Sequence, residues 1–388
     1  MLNFDNTEIA FSGKTKGELK WAHSLFKMLG SNTFIKFGKW ATNISLALHL
    51  PIFGIIKKTI FKQFCGGETI EECDSTIQKL DEYKIGTILD YSVEAKENAS
   101  EENFEASCQE LLRVIEKSKN NPAIPFAVFK TSGICSLSLL EKISKNPDIA
   151  KTNTEFKKAY ERVDRLCKAA FDTGTPIFVD AEESWVQDAI DRLIEEMMQK
   201  YNQEKPVVYN TLQMYRHDRL DYLKKVHAHA KENNYWIGQK IVRGAYMEKE
   251  RERAKEKGYK SPIHVDKNGT DESYNSALEY CVENNSEIAI CAGTHNEISS
   301  MFLTQLLDRK GISKENKNFY FAQLLGMSDH ISFNLSNNGY KVAKYVPYGP
   351  VKEVIPYLIR RAEENTSVAG QTSRELSLIS KEIKRRRK

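Results

Sequence analysis

Eight short apolar runs, each followed by a segment long enough for a helix, fill the chain from about residue 86 onward. This rhythm constrains the fold more than any other feature. The runs lie at 87–91 (TILDY), 126–130 (FAVFK), 176–180 (PIFVD), 207–213 (VVYNTLQ), 239–246 (QKIVRGAY), 287–295 (EIAICAGTH), 318–323 (NFYFAQ) and 344–348 (KYVPY). Each has an apolar body and ends on a polar residue. Helix signals fill the gaps: Asn153 or Thr154 is placed to cap a helix through Phe171, and Asp218 precedes helical spacing through Glu232.

Eight parallel strands alternating with helices close most economically into a (β/α)8 or TIM barrel of the α/β class. In that fold the active site collects at the C-terminal ends of the strands. An open doubly wound sheet also alternates. Its dinucleotide-binding version needs a glycine-rich first turn, and none of the 20 glycines falls in a GxGxxG or GxxxxGK[ST] pattern. The expected organisation is a helical extension over 1–85, the barrel over 86–372 and a basic tail over 373–388, whose last eight residues, 381–388, read as a solvated helix end. The acid-rich stretch 94–107 reads as an exposed loop or helix start.

Composition narrows the class. With 40% hydrophobic and 28% charged residues over 388 positions, the chain can bury a large core, and disorder is not the default. Cys65, Cys73, Cys108, Cys135, Cys167, Cys281 and Cys291 form no CxxC pair, and their odd number argues for free thiols in a reducing, cytoplasmic compartment. Met1 to Lys20 carry Asp5 and Glu8 and show neither a signal-peptide nor a transit-peptide build. The most apolar stretch, 44–56, holds His49 and Pro51 and is too short for a spanning helix, which needs roughly 20 apolar residues. Two readings of 44–62 stay open. Phe53, Ile55, Ile56, Ile60 and Phe61 could enter a membrane surface with Lys57, Lys58 and Lys62 at the headgroups, or the segment could pack on its own domain.

After the eighth run, Tyr357, Arg360, Arg361 and Glu364 recur at i, i+3, i+4 and i+7, which places four polar groups on one helical face. Paired guanidinium forks match a carboxylate, and Glu364 is spaced to hold both arginines. A solvent-facing helix laced with ion pairs would give the same spacing. The stretch Tyr357 to Asn365 resembles the YLxRRAxEN signature of the proline dehydrogenase family, and Val242-Arg-Gly-Ala-Tyr246 resembles that family's fifth-strand motif. Matches continue in family order at Lys130, Asp180, 210–213 (NTLQ), Thr270-Asp271, 293–296 (GTHN) and 322–327 (AQLLGM).

That resemblance implies a distorted barrel holding FAD, with L-proline stacked on the flavin, a hydride passing to flavin N5 to give 1-pyrroline-5-carboxylate, and electrons passed on to a membrane quinone. It implies a substrate set of Lys130, Asp180, Ala245, Tyr246, Leu325, Tyr345, Tyr357, Arg360 and Arg361. The implied cofactor set is Gln213, Lys240, Val242, Arg243, Gly244, Ala245, Lys267, Thr270, Thr294, His295, Asn296, Gln323, Leu325, Arg361 and Glu364. Small residues at Gly244 and Ala245 suit close approach of a flat ring. The family often carries arginine where Lys240 stands, and a lysine there keeps the charge but loses the fork. The quinone gives the 44–62 surface and the basic tail a role in peripheral membrane contact, on the cytoplasmic face of the inner membrane.

Three rival readings are weaker. Lys130 at a strand tip suits a Schiff-base aldolase, which the other motifs do not support. His227-x-His229 would suit a metal site but falls inside a helix with no carboxylate at ligand spacing. Two exposed helix histidines are the expectation there, and no metal. Six of the last eight residues are Lys or Arg, which suits a nucleic-acid or membrane adaptor, but that reading leaves the polar strand tips unexplained, so no nucleic-acid partner is expected.

Overall fold

The computed structural model describes residues 2–30, 53–92, 99–367 and 371–387, and within it the side chains at 55, 362–367 and 371–372 are not described. The expectations for 44–52 and 94–98 lie outside the described residues. Among the described residues there are eight parallel strands: β1 Ile85–Tyr91, β2 Phe126–Lys130, β3 Ile177–Asp180, β4 Val208–Gln213, β5 Ile237–Val242, β6 Ile288–Gly293, β7 Phe319–Leu324 and β8 Val342–Tyr348. They close into a barrel in sequence order, and β8 pairs with β1 from Ile85↔Val342 to Tyr91↔Tyr348. The (β/α)8 class is therefore observed.

Local chemistry sets the helix ends. Asn153 caps the helix Thr154–Thr173 by accepting the Phe156 N–H at 2.8 Å, and Gly174 ends it with φ 72°, a left-handed conformation that glycine adopts without a Cβ clash. Asp218 precedes the helix Arg219–Glu232 as expected, although its carboxylate binds Arg216 and Arg219 and caps nothing.

The contacts define two compact units with boundaries other than those expected: 1–94 with 323–388, and 95–322. In the first, one apolar core joins Phe11, Phe26, Phe61, Phe64, Tyr357 and Leu378. The N-terminal helices, the helix Val351–Ser367 and the last helix Gln371–Arg385 therefore fold together. The segment expected as a basic tail contributes to this core through Leu378 and Ile379, while 381–387, read as a solvated helix end, are mostly exposed, with Arg386 donating to the Phe11 and Lys14 carbonyls. It also bears on 53–64, where Phe61 and Phe64 are buried in this core, as the packed reading requires.

In the second unit, side chains at every second strand position share a face. Phe126 stacks on Phe178 at 4.2 Å, and Tyr209 and Tyr320 meet Phe126 edge-on. Gly238 leaves room for this plug, since a Cβ there would meet the Tyr209 ring at 2.5 Å. Two and four residues further along the same faces come Lys130, Asp180, Thr211, Gln213 and Lys240. Aromatic bodies thus lead to polar tips.

Candidate active site

Within residues 95–322 the strand tips are tied one to the next. Lys130 and Asp180 are register partners on β2 and β3, and Lys240 on β5 binds the Asp180 carboxylate with its ammonium 5.7 Å from the Phe178 ring centre. Just past β3, Glu182 accepts the Ser132 N–H at 2.8 Å, while its carbonyl accepts Gln213 Nε2 at 2.7 Å. Gln213 Oε1 in turn accepts the Ala245 N–H at 3.1 Å. Arg243 carries the chain of bonds onward: Nε donates to Asp271 at 2.7 Å, one terminal nitrogen to Thr294 at 2.7 Å and the other to Ser299 at 2.9 Å, with the guanidinium over the Tyr274 ring. A polar girdle thus runs from β2 to β6. The amide of Gln213, expected to face a ligand, is committed to that girdle.

Burial pushes the Glu182 carboxyl up to about 7, with the Ser132 N–H pulling the other way. The folded chain therefore holds this proton more tightly than the unfolded chain, whose ordinary value is 4.5, and stability falls as pH climbs between the two. Glu182→Gln keeps an acceptor for Ser132 and removes the penalty. Above pH 7 the variant should be more stable than the parent by about 2–3 kcal/mol, and near pH 4.5 the two should match. Thermal unfolding at both pH values checks this; an equal advantage at both would rule out the carboxyl as the cause.

β5 leaves the ladder at Arg243. Gly244 has φ 139°, and a Cβ there would meet the Tyr215 ring at 2.5 Å, so only glycine fits. Gly244 and Ala245 are exposed while β5 is buried as far as Ile241. Bare backbone flanked by Lys240 and Arg243 fits a flat ring with an electron-rich edge, so the residues present suit the flavin that the resemblance implies. The remaining cofactor-side candidates line the start of two helices. Lys267 is exposed and pairs with Asp271, Thr270 is buried, and Asn296 caps the helix Glu297–Arg309 through Ser299 while its own N–H binds Thr294 Oγ1. Burial pushes the Asp271 carboxyl up, but hydrogen bonds from Lys267 and Arg243 outweigh it and hold the group below its ordinary value. His295 is half-buried, as are Val242 and Tyr246, with Lys249 over the Tyr246 ring.

The unit formed by 1–94 and 323–388 holds the other candidates. Tyr357 and Arg361 are buried one turn apart, with the guanidinium 5.0 Å from the Tyr357 ring centre, and Arg360 is half-buried beside them. Buried cation and ring do not match the solvent-facing alternative. The Leu325 N–H donates to the Tyr345 carbonyl at 2.8 Å, and the Gln323 amide oxygen accepts from Ser332. The Glu364 side chain lies outside the described residues.

Two features were not anticipated. Glu182 is a buried acid two residues past a strand tip; the Asp180-Ala-Glu182-Glu183 run was the available signal, since adjacent acids after a strand seldom all face solvent. Lys344 of β8 is fully buried, donating to Asp329 at 2.9 Å and to the Met327 and Leu324 carbonyls. His227 corrects an expectation: it is buried rather than exposed, bonded to the Tyr280 hydroxyl at 2.8 Å and to Glu287 at 2.6 Å, which explains a histidine there without a metal. His229 is exposed as expected, and all seven cysteines are buried free thiols, with burial pushing Cys135 up to about 12.

Fold and site together define a β/α-barrel enzyme whose polar groups gather at the C-terminal ends of the strands. The sequence pattern of the proline dehydrogenase family matches residues 73–374. The chain is 34% identical to mitochondrial proline dehydrogenase 1 of Dictyostelium discoideum, over 99% of this chain and 75% of that one. It is 33% identical to mitochondrial proline dehydrogenase 2 of Arabidopsis thaliana, over 86% and 79%, and 34% identical to the carbapenem antibiotics biosynthesis protein CarD of Pectobacterium carotovorum subsp. carotovorum, over 86% and 85%. Among solved structures, proline utilization A of Bdellovibrio bacteriovorus matches with a TM-score of 0.72 at 18% identity, over 93% of this chain but only 38% of that one, a likeness of fold alone. The chain belongs to the proline dehydrogenase family.

Proposed function

We propose that this protein oxidises L-proline to 1-pyrroline-5-carboxylate, the first step of proline catabolism to glutamate, with FAD as its cofactor and a membrane quinone as electron acceptor. Family membership supports the reaction, and the observation that carries the site assignment is the buried Arg361 stacked on Tyr357 beside Arg360. Two forked cations suit the substrate carboxylate. Leu325, Tyr345 and Tyr357 wall the apolar ring, and Lys130 serves the carboxylate end.

On the cofactor side, Lys240, Arg243, Lys267 and Thr270 supply the cations and hydroxyl for a pyrophosphate and for the flavin edge. Gly244 and Ala245 offer bare backbone to the ring. Asp180 orients Lys240 through their ion pair. Thr294, His295, Asn296, Gln213 and Gln323 are assigned to ribityl and ring contacts, directly or by fixing their neighbours. When bound, FAD supplies a two-electron hydride acceptor. The protein's part is to hold the carboxylate, shield the ring from water and leave the amine proton to solvent. Among the described residues no helix is long and apolar enough to cross a membrane, and we assign the quinone encounter to peripheral contact at the cytoplasmic face of the inner membrane.

Anaerobic titration of the purified protein with L-proline tests this reading. The flavin absorbance band should bleach with proline and return on addition of a short-chain quinone. A colourless protein would overturn the cofactor, and a yellow one that proline cannot bleach would overturn the substrate.

A further inference from the structure

The helix Val351–Ser367, which carries Tyr357, Arg360 and Arg361, starts where the sequence supplies no capping side chain. The residues before it are Gly349 and Pro350, neither of which offers a side-chain oxygen, so the Val351 N–H is an orphan donor at the positive end of the helix. Its acceptor comes from the N-terminal part of the chain: Glu68 Oε2, at 3.2 Å. The other Glu68 oxygen binds Lys57, and this ion pair, followed by the Val351 N–H, holds the Glu68 carboxyl below its ordinary range. The backbone around Glu68 is fixed too. The Gly66 N–H donates to the Pro347 carbonyl at 2.9 Å, and the Gly349 N–H to the Gly67 carbonyl at 3.1 Å, so 66–68 runs as a short extra rung beside the end of β8.

The same segment grips the turn after β7. Gln63 Nε2 donates to the Gly326 carbonyl at 3.0 Å, and Gly326 has φ 76° with a Cβ position that would run into the Gln63 carbonyl. Gly326 follows Leu325 directly. One stretch, residues 57–68, therefore bonds both the arginine helix and the Leu325 turn.

We infer that Glu68 and Gln63 are positioning residues for proline binding: Glu68 caps and places the arginine helix, and Gln63 places the Leu325 turn. This rests on the assignment of Arg360, Arg361 and Leu325 to the substrate. Neither residue touches the reacting atoms, so their loss should act on binding far more than on turnover.

The test uses the full flavin-loaded chain. Glu68→Ala should raise the proline KM by about 3- to 10-fold, the range expected for loss of one helix cap, with kcat within about twofold and flavin content unchanged. Gln63→Ala should act in the same direction. The dissociation constant of tetrahydrofuran-2-carboxylate, a proline analogue with oxygen in place of nitrogen, read from its perturbation of the flavin spectrum, should rise in step with KM. Should Glu68→Ala fail to fold, Glu68→Gln keeps an acceptor for Val351 but loses the charge and should give a smaller rise of the same kind. Arg361→Met is measured alongside. If it leaves KM unmoved, the substrate assignment fails; if it raises KM while the Glu68 variants and Gln63→Ala leave KM and the analogue constant at parental values, the positioning inference is overturned.

Discussion

Arg361→Met should raise the proline concentration needed for half-maximal rate by on the order of 10- to 100-fold, with the flavin-to-protein ratio unchanged. The size follows from losing hydrogen bonds to a charged partner, roughly 1.5–3 kcal/mol. Methionine was chosen because the stem of Arg361 is buried against Tyr357, and a shorter residue would add a packing defect to the loss of charge. Arg360 is half-buried, and its methionine variant should show a smaller effect in the same direction. Lysine at 361 should not restore the parental KM, because a point charge cannot make the paired contacts of a planar fork. Steady-state kinetics alongside the flavin absorbance ratio decide the matter. A loss of flavin that tracks the loss of proline affinity would move Arg361 to the cofactor and leave the carboxylate without an assigned clamp.

The strands that the sequence reading located best are those whose ends coincide with a change of chemistry. β2 matches at both ends, and β3 and β4 differ by one residue at their starts, because an apolar body gives way abruptly to Lys130, Asp180 or Gln213. The run for β5 starts two residues late and ends four residues late: Arg243 to Tyr246 look strand-like by composition, but the positive φ at Gly244 takes the chain out of the ladder. The run for β8 starts two residues late, at Lys344. Its charge is accommodated by Asp329 and two carbonyls, a fact of tertiary structure that no local pattern carries. The motif residues of the site were readable because each is a polar group where packing alone would place an apolar one. Their partners were not. Glu182, Glu68 and Gln63 act through hydrogen bonds to residues 50, 283 and 263 positions away; beyond the run of acids around Glu182, nothing in their own neighbourhoods distinguishes them from surface polars. The same limit explains 373–380, where the neighbouring run of Lys and Arg draws attention from the buried Leu378 and Ile379.

Asp180→Ala should be among the most destabilising single changes in the chain. It leaves the Lys240 ammonium, 6% exposed, in the barrel with its ion-pair partner removed. Breaking a buried ion pair by removing one partner costs about 3–5 kcal/mol, which for units of this size should lower the apparent melting temperature by on the order of 10 °C. The informative comparison is the double variant Asp180→Ala with Lys240→Met. Removing both charges eliminates the desolvation penalty as well as the attraction, and buried pairs replaced in this way are often neutral or more stable, so the double variant should recover most of the lost melting temperature. It should not recover function: with Lys240 gone, the flavin edge loses a cation and flavin content should fall, with bleaching by proline slowed. Stability regained without activity would mean that the pair is retained for its chemistry at the strand tips. A double variant as unstable as Asp180→Ala would instead mean that Asp180 supports the fold by contacts other than its ion pair, and the role given to Lys240 would lose its structural basis.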